Sequence, residues 1–194
     1  PDAAAAAETI MALETALAAT VTHWQEKKLW NEPVIATLAQ SCLDTAQPEK
    51  AAAWFDEAIA LHVKASQNRG VGDGTLASYY GRRSSALVDL GRTADAVDSA
   101  AGAVIAWGND QNNRGQALAA LQNVLLRASD LDGYVATLDA EVKKSGLENP
   151  ILRKALGAVY SQKLLWEKAA AQLKASLEVQ PNDPETQRAL VNAY

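Results

Sequence analysis

The chain has 194 residues, of which 48% are hydrophobic and 21% are charged, and its formal net charge is -5. This apolar content is sufficient for a large folded domain with a continuous core and too high for a disordered chain. The acidic balance lacks the clustered Lys and Arg that bind phosphates, so no nucleic-acid partner is predicted. No apolar run approaches the roughly 18 residues that a membrane span requires, so no span is predicted.

Residues 1–31 are predicted to form an N-terminal flanking helix. The segment 2–29 is rich in alanine, and its larger apolar residues recur at helical spacing, which predicts that they face inward. These residues are Ile10, Leu13, Leu17, Val21 and Trp24. No basic region precedes an apolar stretch, so no intact signal peptide is predicted. The sequence does not determine the cellular compartment, because it is compatible both with a cytoplasmic location and with export after removal of a signal peptide.

Residues 32–194 contain internal repeats. Residues 49–55 read EKAAAWF and residues 167–173 read EKAAAQL, and weaker copies begin at Gly91 and Ser129. Self-similarity at a period of this size is typical of helical repeat proteins. The units are predicted to begin near residues 32, 77, 115 and 150, and an incomplete unit begins at 184.

Each unit is predicted to contain two helices joined by a short polar break. In the fourth unit, Leu152, Leu156 and Val159 recur at three- and four-residue spacing, which places them on one helical face. A second helix follows from Trp166, and residues 180–184 (QPNDP) end it and begin the next. Pro stops a helix, Asn or Asp caps the following one, and Pro fits its first turn.

The second unit has weaker sequence signals for where its helices begin and end. Gly91 is predicted to provide a left-handed cap at the end of its first helix. The preceding glycine-rich stretch, Gln67–Gly74, is predicted to be a long loop between units. It is not predicted to bind phosphate, because no Lys-Ser or Lys-Thr pair follows it and no strand precedes it.

These repeats resemble the tetratricopeptide repeat (TPR) family, whose pattern combines Leu-Gly, Tyr, a small Ala, a large apolar residue and Pro at fixed offsets. The fourth unit carries this pattern at Leu156, Gly157, Tyr160, Ala169, Leu173 and Pro181. The second and third units depart from it, with Arg83-Ser84 and Leu121-Gln122 in place of Leu-Gly. The resemblance implies an all-α fold, a right-handed α-solenoid of antiparallel helix pairs.

The resemblance also implies a peptide-binding groove lined by the first helix of each pair. The corresponding residues here are Gln40, Asp44, Arg82, Ser85, Gln116, Asn123, Arg127, Lys154, Gln162, Arg188 and Asn192. Some family members clamp a peptide carboxylate with repeated Lys and Asn residues, and Arg188 and Asn192 resemble half of such a clamp. Ala36, Gly81 and Ala119 stand where its other partners would be, so that clamp is not predicted.

No set of catalytic, metal-binding or cofactor-binding residues is apparent in the sequence. His23 and His62 are the only histidines and lie on different predicted helices, which does not fit a zinc site or a nucleophile–base pair. Asp130–Gly133 begins like a calcium loop, but no Glu follows at the required distance. Cys42 is predicted to be an inert buried thiol. The chain is therefore expected to be neither an enzyme nor a metal or cofactor protein.

Two functions are favoured by the sequence, and a catalytic domain with an unrecognised site is a third alternative. The first is a scaffold that binds a protein or peptide partner on the face formed by the first helices. The second is a structural or oligomerisation module from a longer multidomain protein. It is suggested by the last unit, which has only its first helix, so that self-association through an exposed C-terminal end is expected.

Overall fold

In the computed structural model, the chain forms a series of helices joined by mostly short connections. The structure describes residues 3–27, 29–66, 72–108, 111–145 and 150–194, which contain ten helices and no strand. Most of the predicted glycine-rich loop, at 67–71, lies outside the described residues. The helices are α1 (Ala3–Glu26), α2 (Glu32–Asp44), α3 (Pro48–Ala65), α4 (Gly74–Asp89), α5 (Thr93–Trp107), α6 (Gln111–Arg127), α7 (Leu131–Ser145), α8 (Pro150–Gln162), α9 (Trp166–Val179) and α10 (Pro184–Asn192).

Helices α2 to α6 and α8 to α10 pack mainly on their neighbours in the chain. The most extensive contacts join α2 to α3, α3 to α4, α4 to α5, α5 to α6, and α8 to α9. Helices two apart also touch, as α4 does with α6 and α6 with α8. Short connections between packed neighbours make them antiparallel. The predicted fold class, an all-α solenoid of antiparallel helix pairs, is confirmed.

Small residues lie where the two helices of a pair approach most closely. Ala51, Ala96 and Ala169 each have 0% of their surface exposed. In the fourth pair the residue opposite Ala169 is Gly157, and in the second pair Ser84 lies opposite Ala96. The Ser84 hydroxyl donates a 2.8 Å hydrogen bond to the Ala96 carbonyl, which satisfies the only buried polar group that the serine adds.

In three helix pairs the two helices are connected by the same type of turn. Ala46, Gly91 and Leu164 have φ values of 55°, 70° and 60°, and each lies two residues before the second helix of its pair. The next N–H donates to the carbonyl five residues earlier, which is the Schellman arrangement. These bonds are Gln47 to Cys42 (2.8 Å), Arg92 to Leu87 (2.9 Å) and Leu165 to Tyr160 (2.9 Å). The predicted left-handed Gly91 is present, and two pairs use a non-glycine residue there.

The flanking helix α1 shows part of its predicted inward stripe. Of the residues predicted to face inward, Val21 is buried and Leu17 and Trp24 are half-buried, while the side chains of Ile10 and Leu13 lie outside the described residues. Leu17 and Val21 face Trp54 of α3 across a cavity.

The first helices begin close to the predicted unit starts. α2, α8 and α10 start at Glu32, Pro150 and Pro184, whereas α4 and α6 start a few residues earlier than predicted, at Gly74 and Gln111. The division into a flank and a repeat domain stays a prediction. No described helix combines the length and apolar character needed to cross a membrane.

Candidate functional site

The helices α2, α4, α6, α8 and α10, called the first helices from here on, carry the residues predicted to bind a peptide. Contacts between α2 and α4, α4 and α6, and α6 and α8 align the first helices side by side. Side chains that point away from the second helices can therefore converge from two neighbouring first helices.

Three of the predicted residues meet in a cavity between α4 and α6. This α4–α6 pocket has a volume of about 260 Å³. Its lining residues are Ser84, Ser85, Val88, Asp89, Ala120, Asn123, Val124 and Arg127. The floor is aliphatic, and the rim offers a hydroxyl, an amide, a carboxylate and a guanidinium. Ser85, Asn123 and Arg127 were predicted to bind a peptide, whereas Asp89 was not.

The polar groups on the pocket rim are available to a ligand. Asn123, Arg127 and Asp89 are exposed, and none of their side chains forms a hydrogen bond or ion pair with another described residue. Ser85 donates only a long 3.4 Å bond to the carbonyl of Gly81 in its own helix. A cation, an anion and an amide thus lie around an apolar floor with their bonding capacity unused.

Lys154 has a different environment. It lines a larger cavity of about 850 Å³ between the starts of α6, α8 and α10, together with Arg114. Its ammonium group contacts Asp183 at 3.2 Å and Glu185 at 2.5 Å. Partial burial acts to lower the pKa of Lys154, but the hydrogen bonds to both carboxylates outweigh it and the pKa is raised. Lys154 therefore links α8 to α10, and its ammonium group is already paired with two carboxylates, which makes it a poor contact for a ligand.

The remaining predicted residues do not line the α4–α6 pocket. Gln40 and Asp44 bond to each other at 2.7 Å on α2. The others are exposed along the first helices, with two of them at helix ends. These are Arg82, Gln116, Gln162, Arg188 and Asn192. The resemblance placed these residues on the first helices, and lateral contact between helices determines which of them converge.

A cluster of titratable side chains that was not predicted joins the starts of α2 and α4 to the end of α3. The Glu32 Oε1 atom lies 2.8 Å from Nδ1 of His62, and the Asp73 Oδ2 atom lies 2.7 Å from Nε2. The Tyr79 hydroxyl donates to the same Glu32 oxygen at 3.0 Å. Burial and this bond to a carboxylate raise the pKa of Tyr79 to about 12.

The other candidate chemical groups form no metal site among the described residues. Among the described residues, no group of three His, Cys, Asp or Glu side chains is placed to hold a metal ion. Cys42 is buried, and that burial raises the pKa of its thiol, as expected for a structural cysteine. Asp130 bonds the backbone N–H of Gly133 at the start of α7, so the sequence that begins like a calcium loop forms a helix start.

The fold and the pocket define a class of protein, a stack of antiparallel helix pairs with an open site between adjacent first helices. The chain matches no protein-family model and no curated protein. In structure it is similar to residues 41 to the end of MamA from Desulfovibrio magneticus RS-1. That similarity has a TM-score of 0.43 and 18% identity over 84% of this chain and 82% of the other. The MamA RS-1 ArsTM double mutant gives a TM-score of 0.41 with the same identity and coverage. Neither similarity bears on what this chain binds.

Proposed function

We propose that this chain is a non-catalytic scaffold of the tetratricopeptide type that binds an extended peptide segment of a partner protein across its first helices. The observation that carries the proposal is the α4–α6 pocket. There, unbonded polar groups from two adjacent repeats surround an aliphatic floor.

The pocket chemistry indicates what kind of segment fits. Val88, Ala120 and Val124 form an apolar surface for one small aliphatic side chain. The Asn123 amide can donate and accept at once, which matches the hydrogen-bonding groups of a peptide backbone. Arg127 presents a planar fork of N–H donors suited to a carboxylate. The proposed ligand is an extended peptide with an aliphatic residue close to an acidic one.

A non-catalytic role is part of the proposal. The His62 ring is held by two carboxylates rather than by a hydroxyl or thiol that it could activate. The groups available on the pocket rim bind and orient, and they lack a base placed beside a nucleophile.

A peptide library displayed on phage and selected on the purified chain tests this function. Peptides enriched on the native protein should contain the aliphatic–acidic pattern. Their Kd, measured by fluorescence anisotropy, should rise at least about tenfold for Arg127→Glu, because a carboxylate would then face a carboxylate. Lys64→Glu, a matched charge reversal at an exposed position of α3, should leave the Kd unchanged. Equal affinity for both variants would refute the site.

The second candidate, an oligomerisation module, draws support from the exposed end of α10. Val191 is 72% exposed and Tyr194 is 79% exposed. Light scattering across a hundredfold concentration range tests self-association through this end. A mass that rises with concentration for the native chain, and not for Val191→Ser with Tyr194→Ser, is the expected result. A constant monomer mass would exclude it.

A further inference from the structure

His62 lies between two carboxylates that come from different helices. Its two ring nitrogens are 2.8 Å from a Glu32 oxygen and 2.7 Å from an Asp73 oxygen. A neutral imidazole carries one N–H, and its other nitrogen is an acceptor that repels a carboxylate oxygen. Both contacts are hydrogen bonds only when the ring is protonated and carries a positive charge.

The surroundings of the ring favour the charged form. The side chains of Glu32, His62 and Asp73 keep only 21%, 15% and 14% of their surface exposed, so solvent screens the contacts little. Partial burial acts to lower the pKa of His62, but the bonds to Asp73 and Glu32 outweigh it and raise the pKa above 6.5. Among the described residues, two further ionisable groups face the cluster, both from α4: Tyr79, which donates to Glu32, and Arg82, whose charge acts on Tyr79.

Each of the three residues Glu32, His62 and Asp73 also lies at the end of a helix. Glu32 is the first residue of α2, and His62 lies in the last turn of α3, where a positive charge is favourable. Asp73 caps α4 by accepting from the N–H of Leu76 at 3.0 Å, and its own N–H donates to the Ala106 carbonyl of α5 at 2.8 Å. Through His62 the α2–α3 pair is therefore joined to the α4–α5 pair.

We propose that Glu32, His62 and Asp73 form a pH-dependent clamp between the first two helix pairs, closed when His62 is protonated and opened by its deprotonation. Because the His62 pKa is raised on folding, the stabilisation is fully present below the unfolded pKa near 6.5 and is lost as the pH rises through the folded value. The Asp73 pKa is lowered from 3.8, since its bonds to the Leu76 N–H and to His62 outweigh partial burial. Asp73 therefore stays ionised to a lower pH than an ordinary aspartate does.

The chain contains its own control for a titration. His23 is the only other histidine, it also lies in the last turn of a helix, and it is exposed. Two imidazole resonances are thus expected in an NMR pH titration of the native protein, assigned with His62→Gln and His23→Gln. The His62 resonance should titrate at a pH above 6.5, the value of an unperturbed histidine. A His62 midpoint at or below 6.5 would overturn the proposal.

Unfolding and hydrogen exchange test the mechanical consequence. For the native chain and for His23→Gln, the urea concentration at the unfolding midpoint should decrease as the pH is raised from 6 to 9. His62→Gln should show a smaller fall, because its amide can still donate to Asp73 but does not titrate. In the native chain, exchange of the Leu76 N–H, corrected for its intrinsic pH dependence, should accelerate over the same range while the Leu156 N–H in α8 stays protected. Identical pH dependence of the urea midpoint in both variants, or uniform acceleration at Leu76 and Leu156, would refute a local clamp.

Discussion

Gly157 of α8 lies so close to Leu173 of α9 that a β-carbon on the glycine would come within 2.7 Å of the leucine Cδ2 and Cγ atoms. Leu173 is 1% exposed, so any shift of its side chain would displace other buried groups. The absence of a side chain at residue 157 therefore sets the distance between the two helices of the fourth pair.

Gly157→Ala should destabilise the protein although alanine is the better helix former. The overpacking cost exceeds the gain in helix propensity, and we expect a net loss of about 1 to 2 kcal/mol in the free energy of unfolding. Gly81→Ala is the matched control, because no atom lies within 4 Å of a β-carbon added at that helical glycine. It should stabilise by about 0.5 to 1 kcal/mol. Urea denaturation of both variants measures the contrast, and two changes of the same sign would contradict it.

The left-handed residues in the helix-pair turns give a prediction with opposite signs. Leu164 has a φ of 60° and is 68% exposed, so Leu164→Gly relieves backbone strain without loss of packing. After the entropy cost of glycine in the unfolded chain, it should stabilise by up to about 1 kcal/mol. Gly91→Ala introduces the same strain in the second pair and should destabilise by about 1 kcal/mol. Thermal unfolding of the two single variants checks both signs.

The ion pair between Arg153 and Asp139 should contribute more than an exposed one. The Arg153 Nη1 atom lies 2.5 Å from Asp139 Oδ1, and the two side chains are 10% and 27% exposed. Asp139→Ala leaves a buried guanidinium without its anion and should cost about 2 kcal/mol, somewhat below the value for a fully buried pair. Asp95→Ala breaks the exposed pair with Arg92 and should cost less than about 1 kcal/mol. Comparable losses in chemical denaturation would show that burial is not the deciding factor.

Asp183 should make the start of α10 sensitive to acid. Its carboxylate accepts from the N–H of Glu185 at 3.1 Å and from the hydroxyl of Thr186 at 2.6 Å, and it also contacts Lys154. The bond to Thr186 and the contact with Lys154 together hold the Asp183 pKa below 3.8. Its stabilisation is therefore present above pH 3.8 and is lost as the pH falls through the folded pKa.

Asp183→Ala removes this cap and leaves the fully buried Thr186 hydroxyl without its acceptor. The expected cost at pH 7 is about 2 kcal/mol in the free energy of unfolding. The cost should shrink at acidic pH, as the native carboxylate becomes protonated. Asn182→Ala, at the exposed neighbouring position, serves as the control and should change stability little at either pH. A cost that does not vary with pH would show that the charge of Asp183 has no part in the cap.

Repeat spacing predicted the helix pairs because local contacts within and between neighbouring units build this fold. It treated Arg83 and Ser84 as departures from the pattern, whereas the structure gives each of them partners. Arg83 contacts Asp56 of α3 at 2.5 Å, and Ser84 donates to the Ala96 carbonyl. Such compensation depends on groups from neighbouring helices, and no pattern within one unit contains it.

The candidate site was predictable only in part for the same reason. Asn123 and Arg127 could be named only because the resemblance to the TPR family implies which positions of the first helices face a groove. The position of Asp89 opposite them depends on how α4 and α6 align. The bonds from His62 reach across 30 residues to Glu32 and 11 residues to Asp73, which helical spacing cannot relate.

The Schellman turn shared by Ala46, Gly91 and Leu164 has a consequence for protein engineering. Backbone hydrogen bonds, rather than the side chain at the left-handed position, fix the angle at which the chain reverses. The turns that connect the helices of the first, second and fourth pairs should therefore be interchangeable. New repeat arrays could then be built from this chain by using the same turn in every pair.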